Sequence, residues 1–219
     1  MPESAASAAT RLILHGYFRS TASYRVRLAL SLKGLGYDNV SHHLRKNEQR
    51  ASAYLAINPQ GLLPALDVGG QILTQSLAIC EYLDEVCPSP PLLPTDPIDR
   101  AHVRAAAQVI ACDIHPIQNL KILDRLRQNG LAEDAVTAWA CMTIEEGLEA
   151  FEALLPESVG KFCFGDATGL ADICLVPQLV NARRFGAAAP SPRIASIEAN
   201  CLALAEFQRA APENQLDAE

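Results

Sequence analysis

The sequence predicts a mixed α/β unit followed by an all-helical unit. Three observations carry this prediction. Upstream of residue 87 the apolar patterns run strand, helix, strand, then hairpin and helix, a βαβ–ββα order. The stretch Cys87 to Pro97, CPSPPLLPTDP, holds five prolines in eleven residues and reads as a semi-rigid extended connector. From Ile98 to Arg209 the periodicity is helical, with no convincing alternating segment. The expected division is a disordered tail over 1–10, an α/β domain over 11–90, a proline-rich linker over 91–98 and an all-helical domain over 99–219.

In the α/β unit, Leu12-Ile13-Leu14 is a short apolar run suited to a strand. A loop rich in hydroxyls follows, and Val26, Ala29 and Leu30 then share one face of a helix ending at Gly34 or Gly36. Ser20, Thr21 and Ser23 are the N-cap candidates, since the first free N–H groups of a helix need acceptors. Arg25 and Arg27 sit early in that helix, where its dipole disfavours cations. They are read either as solvated side chains or as part of an anion-receiving end.

A second strand is expected over Tyr37 to Leu44, then a polar segment from Arg45 to Gln49 and a short helical patch through Tyr54 and Leu55. Asn58-Pro59 and Gln60-Gly61 are turn signals before the strand-like run Leu62 to Val68. Pro64 cannot donate to a sheet ladder, so it begins an edge strand, follows a cis bond or lies in an ordinary trans loop. Gly69-Gly70 makes a hairpin to Gln71–Leu73. A helix bearing Leu77, Ile79, Cys80 and Leu83 comes next, capped by Thr74 or Ser76, with Glu81 and Asp84 facing solvent. Gln75 and Ser76 therefore stand at a second helix N-terminus.

Past the connector, a helix is expected from an Asp99 cap to near Leu126, kinked by Pro116 within Ile114-His115-Pro116-Ile117-Gln118-Asn119-Leu120-Lys121. His115 has no partner at metal-ligand spacing, and no metal site is predicted. A further helix spans about Ala132 to Leu155, with Val136, Trp139, Ala140, Thr143, Ile144 and Gly147 as its buried stripe. Gly169 caps a strongly apolar helix from Ile173 to Val180, with Asp172 in the place of a capping-box acid. Asn181-Ala182-Arg183-Arg184-Phe185 lies at its far end, where two arginines suit the dipole.

Composition bounds the function. The 219 residues are 49% hydrophobic and 20% charged, enough to bury a core. A net charge of −7 disfavours general binding to nucleic acid or anionic membranes. No apolar run approaches membrane-spanning length, and MPESAASAAT lacks the basic start and apolar region of a signal peptide. Seven cysteines scattered without CxxC spacing argue for reduced thiols and a cytoplasmic protein.

Five segments in order, Phe18–Arg27, Asn58–Leu66, Gln75–Ile79, Ile114–Lys121 and Asn181–Phe185, resemble the zeta class of the cytosolic glutathione transferases, the maleylacetoacetate and maleylpyruvate isomerases. The resemblance runs from Leu12 to Gln215. It implies a thioredoxin-like first domain, an all-α second domain, reduced glutathione as cofactor, a small dicarboxylate substrate and a homodimer. The family's first loop reads Ser-Ser-Cys-Ser, its first serine activating the glutathione thiol. Here the run is Ser20-Thr21-Ala22-Ser23, which keeps the serine and replaces the cysteine by Ala22. Mechanisms that need a protein thiol at that point are excluded, and isomerisation stays open.

By the same resemblance, catalysis falls to Ser20, Arg19 and Arg184. Glutathione is held by Ser20, the Leu63 backbone before a cis Pro64, Gln75 and Ser76 at the γ-glutamyl carboxylate, and Gln49 or Lys46 at the glycyl carboxylate. Arg19, His115, Gln118, Asn119, Lys121 and Arg184 face the substrate. Leu120 stands where maleylpyruvate isomerases tend to carry arginine, which favours maleylacetoacetate and a place in aromatic amino-acid breakdown. The other readings are a maleylpyruvate isomerase of gentisate degradation, and a glutathione-binding scaffold without turnover, for which Ala22 speaks.

Overall fold

A computed structural model describes residues 11–158 and 160–219. The tail expected over residues 1–10 lies outside the described residues. Four strands form one mixed sheet: β1 (Leu12–Gly16), β2 (Asp38–Ser41), β3 (Ala65–Val68) and β4 (Gln71–Thr74), in the order β2-β1-β3-β4. β1 runs parallel to β2, as a βαβ unit requires, and antiparallel to β3. The β3–β4 hairpin turns at Gly69 and Gly70, whose φ values of 58° and 93° suit residues without a Cβ. The Leu63–Pro64 bond is cis and β3 begins one residue later, between β1 and β4, so the edge-strand alternative for Pro64 does not hold.

Helix α1 (Thr21–Leu32) is capped by Ser20, whose side chain accepts from Ser23 N at 3.2 Å. Every residue from Thr21 to Leu30 is buried, because α1 packs between α3 (Ser76–Val86) and the helical half of the chain. This overturns the reading of Arg25 and Arg27 as solvated, since they are only 1% and 2% exposed. The surface expectation for Asp84 fails likewise, while Glu81 stays partly exposed. Asp84 accepts from the buried Lys33 Nζ at 2.6 Å and from Leu92 N at 2.8 Å, anchoring the proline-rich stretch, while Glu81 is paired with Arg104. Helix α3 takes no side-chain cap from Thr74 or Ser76; its N-cap is Gln75, at φ 69°.

After the short α2 (Ser52–Leu55) and α3, the regular elements beyond the connector are helices: α4 (Pro97–Gln108), α5 (Leu120–Gln128), α6 (Glu133–Ala153), α7 (Leu170–Phe185), α8 (Pro192–Leu202) and α9 (Ala205–Ala210). Asp96, not Asp99, caps α4, accepting from Ile98 N and Asp99 N. The single kinked helix expected up to Leu126 is in fact broken. A wide π-type segment, Val109–Ile114, follows α4, and α5 starts afresh where Asn119 Oδ1 captures Ile122 N. Pro116 stands inside that break.

Helix α7 begins as a capping box without a hydroxyl. The buried Asp172 accepts from Gly169 N at 2.8 Å and from Cys163 N at 2.9 Å. It ends later than expected, so Asn181 to Phe185 are its last turns. One continuous core joins sheet, α1, α3 and the helical half through Leu14, Leu30, Ile79, Ile110, Ile144 and Val176. Trp139 is not in it: it is 40% exposed, and its Nε1 donates to Ile117 O at 3.2 Å.

Gly147 lets α6 lie against the π segment. A Cβ there would stand 2.2 Å from Ile114 Cγ1, and a β-branched side chain has little room to move. Gly147→Ala should therefore cost about 1–3 kcal/mol of overpacking, offset by about 1 kcal/mol of helix propensity. Urea unfolding of the variant is expected to show a net loss of stability.

Candidate active site

The loop before α1 carries the first group of candidates, and its backbone is held from several sides. Arg27 donates from Nη1 to Tyr17 O at 3.4 Å, from Nη2 to Phe18 O at 3.1 Å and from Nε to Ala210 O at 2.9 Å. Burial lowers its pKa to about 10, so it stays charged at neutral pH. Arg184 Nη1, reaching across from α7, donates to Arg19 O at 2.8 Å. Ser20 N closes the turn onto Tyr17 O at 3.0 Å. Because Ser20 Oγ accepts from Ser23 N, its own hydroxyl proton is left to donate outward at the positive end of α1.

That end of the helix opens into a cavity of about 390 Å³ between the two halves of the chain. Of the residues singled out in the sequence, Arg19, Ser20, Gln49, Leu63, His115, Gln118, Asn119, Lys121 and Arg184 line it. Lys46, Pro64, Gln75 and Ser76 are not in its wall. Gln75 Nε2 donates to Gln60 Oε1 at 2.9 Å, and Ser76 Oγ accepts from the buried Arg25 Nη1 at 3.1 Å. Arg25 thus belongs to the N-terminus of α3, and Ser76 keeps a free hydroxyl proton. Ala22 is buried and absent from the cavity wall, so the residue that departs from the family pattern faces the interior.

The cavity wall is basic. Arg19, Arg45, Arg50, Lys121, Arg127 and Arg184 line it against the single acid Asp124. Arg127 is already engaged by Glu133 and Asp124. A chain of net charge −7 therefore concentrates positive charge in one place, the arrangement that draws in an anion. Burial, then Arg19, lowers the pKa of Arg184. Gln118 Oε1 accepts from Asn181 Nδ2 at 2.9 Å in a buried pair, fixing the wall to α7.

Arg45 opens the polar segment that ends at Gln49, and Arg50 directly follows it, so both were legible in the sequence. Arg127 carried no local signal, while Asn181 and Phe185 lie in a segment that carries the resemblance but gave them no role of their own. They reach the wall through the packing of α5 and α7.

His115 Nδ1 and Thr21 Oγ1 pair at 2.9 Å, joining the break in the helical half to the first turn of α1. Burial, with the Arg25 charge adding to it, depresses the His115 pKa to about 3. The imidazole is therefore neutral at working pH.

The family profile described as "Glutathione S-transferase, N-terminal domain" matches residues 10–85. A maleylacetoacetate isomerase of Pseudomonas aeruginosa is 48% identical over 208 residues, 93% of this chain and 97% of its own length. A solved holo structure of a maleylpyruvate isomerase, described as a bacterial zeta-class glutathione S-transferase, superposes with a TM-score of 0.92 at 46% identity, covering 94% of this chain and 100% of that one. A maleylacetoacetate isomerase from Anaeromyxobacter dehalogenans, solved with glutathione in its active site, gives 0.87 at 42% identity over 96% and 99%.

Since the folded-state pKa of His115 lies below its unfolded value of 6.5, the unfolded chain takes up the proton first. Its contribution to stability is full above pH 6.5 and is lost as pH falls toward 3. Urea titrations of the parent and His115→Gln across that window should diverge by up to about 1.4 kcal/mol per pH unit, the parent falling faster.

Proposed function

The chain belongs to the zeta class of the glutathione transferase family, and on that premise we propose that it is a glutathione-dependent cis–trans isomerase converting maleylacetoacetate to fumarylacetoacetate. The observation that carries this reading is a single cavity that unites a hydroxyl with a free proton at a helix N-terminus and basic side chains from both halves of the chain. Those residues fit glutathione: its sulfur needs a donor and a positive end, and its carboxylates need cations or open helix termini.

When bound, glutathione supplies a thiolate that adds reversibly to the substrate's conjugated double bond, so that rotation takes place about a single bond. Ser20 donates its hydroxyl proton toward that sulfur, and the α1 N-terminus adds favourable charge. Leu63 offers its backbone, ahead of Pro64, to the cysteinyl amide. Gln75 and Ser76 hold the γ-glutamyl carboxylate, the latter with a hydroxyl oriented by Arg25. Gln49 or Lys46 meets the glycyl carboxylate, and Gln49 is the one in the wall.

Arg19 and Arg184 hold a substrate carboxylate and the negative charge that develops on its ketone oxygen. Neutral His115, tied to Thr21, lines the wall with Gln118, Asn119 and Lys121 and adds no positive charge of its own. Leu120 also lines the cavity, and an apolar side chain there supports maleylacetoacetate over maleylpyruvate. The maleylpyruvate reading is supported by the close likeness to the zeta-class structure of that name.

The same proposal includes the division into a glutathione-binding domain (11–90) and a substrate domain (99–219), a homodimer, a cytoplasmic setting and a place in aromatic amino-acid breakdown. Free cysteines at all seven positions accord with a reducing compartment. Among the described residues no helix is long and apolar enough to cross a membrane. The charge balance supports the absence of a nucleic-acid partner.

Ser20→Ala should lower kcat/KM by roughly 10²-fold or more, and Arg184→Ala by roughly 10-fold or more through loss of charge stabilisation. Steady-state kinetics on maleylacetoacetate and maleylpyruvate, with and without glutathione, checks both. Turnover should need glutathione and favour the first substrate; unchanged rates in both variants would sink the mechanism.

A further inference from the structure

The loop that presents Arg19 and Ser20 does not sit on the main core. Tyr17 and Phe18 pack with Tyr54 and Leu63 in a small separate cluster, so polar ties set the position of this loop. Arg27 supplies the inner tie, through the carbonyls of Tyr17 and Phe18. The outer tie comes from the opposite end of the sequence. Asp217 Oδ2 accepts from Phe18 N at 3.0 Å and from Ser41 Oγ at 2.5 Å.

The segment bearing Asp217 is itself fixed at both ends. Gln215 Nε2 donates to Arg209 O at 2.9 Å and Ala211 O at 2.8 Å, holding it to α9. Glu219 Oε1 lies 3.0 Å from His43 Nε2, which in turn is 3.4 Å from Tyr17 Oη. Asp217 therefore ties the loop at residues 17–20 to Ser41 at the end of β2, and Glu219 beside it reaches His43 in the stretch after β2 that carries Arg45, Gln49 and Arg50 into the cavity wall.

We infer that Asp217 is a positioning residue for the glutathione-binding loop, setting where the Ser20 hydroxyl and the Arg19 side chain stand relative to Gln49. This rests on the isomerase reading of the cavity. A carboxylate suits the task because it accepts from two donors at once, and hydrogen bonds to a charged acceptor are stronger than neutral ones. The Tyr17–Phe18 peptide then has its N–H bound by an anion and its C=O by a cation, so that peptide plane has one orientation. Ser20, two residues on and turned back onto Tyr17 O, inherits it.

The test compares the full-length parent with Asp217→Ala and Asp217→Asn by three measurements: glutathione affinity by calorimetry, hydrogen exchange at the Phe18 amide, and kcat/KM. Asp217→Ala should weaken glutathione binding and lower kcat/KM, each by about fivefold, and speed Phe18 exchange by about tenfold. The Tm should move by no more than about 2 °C, since Asp217 is only partly buried and lies outside the core. Asp217→Asn, which keeps an acceptor, should recover part of each loss. Parent-like affinity and Phe18 exchange in Asp217→Ala would overturn the inference alone. So would losses that appear only with a fall in Tm of about 6 °C or more, which mark a general fold anchor. A parent that neither binds nor uses glutathione would overturn the isomerase reading and this inference together.

Discussion

Much of the site depends on one buried cation. Arg27 lies inside α1, where an apolar residue would ordinarily be, and binds three main-chain carbonyls: two in the loop before the helix and one at the end of α9. Among the described residues no acid is bonded to it, and its charge is spread over those peptide dipoles and over the face of Tyr24, 5.2 Å from the ring centroid. Isolated charges are costly to bury, and the geometry here offsets that cost by giving each of the three guanidinium nitrogens a carbonyl. In return, the loop carrying Ser20 is tied to its own helix and to the far end of the chain.

From that constraint the rest of the cavity follows. A fixed loop puts Ser20 at the N-terminus of α1, and α1, buried along most of its length, fixes the approach of α7 and hence of Arg184. The broken segment between α4 and α5 puts His115 against Thr21, so at the cavity the two halves meet through a neutral hydrogen bond. Around that junction the wall is basic, although the chain as a whole is acidic. The global charge bears on what the surface repels, and the local charge on what the cavity attracts.

The sequence made most of the local geometry legible. The Ser20 cap, the Gly69-Gly70 hairpin and the Gly169–Asp172 helix start each depend on residues a few positions apart, so short-range chemistry decides them. What escaped depends on distant partners. Arg25, Arg27 and Asp84 look like surface charges until Ser76, the loop carbonyls and Lys33 are placed beside them. Trp139 looks like core until it is seen at the edge of the α6 stripe, exposed beside the buried Val136, Ala140 and Ile144. Pro116 suggested a bend, yet Asn119 starts a new helix, because a cap three residues on competes well with a helix that has already lost a donor. Nine of the thirteen residues proposed for the site line one cavity. The four outside it include Gln75 and Ser76, whose place beside a helix N-terminus was readable but whose link to Arg25 was not.

Ionisation of the thiol of bound glutathione by Ser20 and the α1 N-terminus is the step on which the proposed isomerisation turns. It is tested most directly by titrating the ultraviolet thiolate absorbance of the binary complex against pH in the parent and in Ser20→Ala. The parent complex should ionise at a midpoint at least one unit below the ~8.5 of a free thiol, and Ser20→Ala should move it back toward that value. A parent complex that titrates like free glutathione, or a Ser20→Ala complex that titrates like the parent, would contradict it.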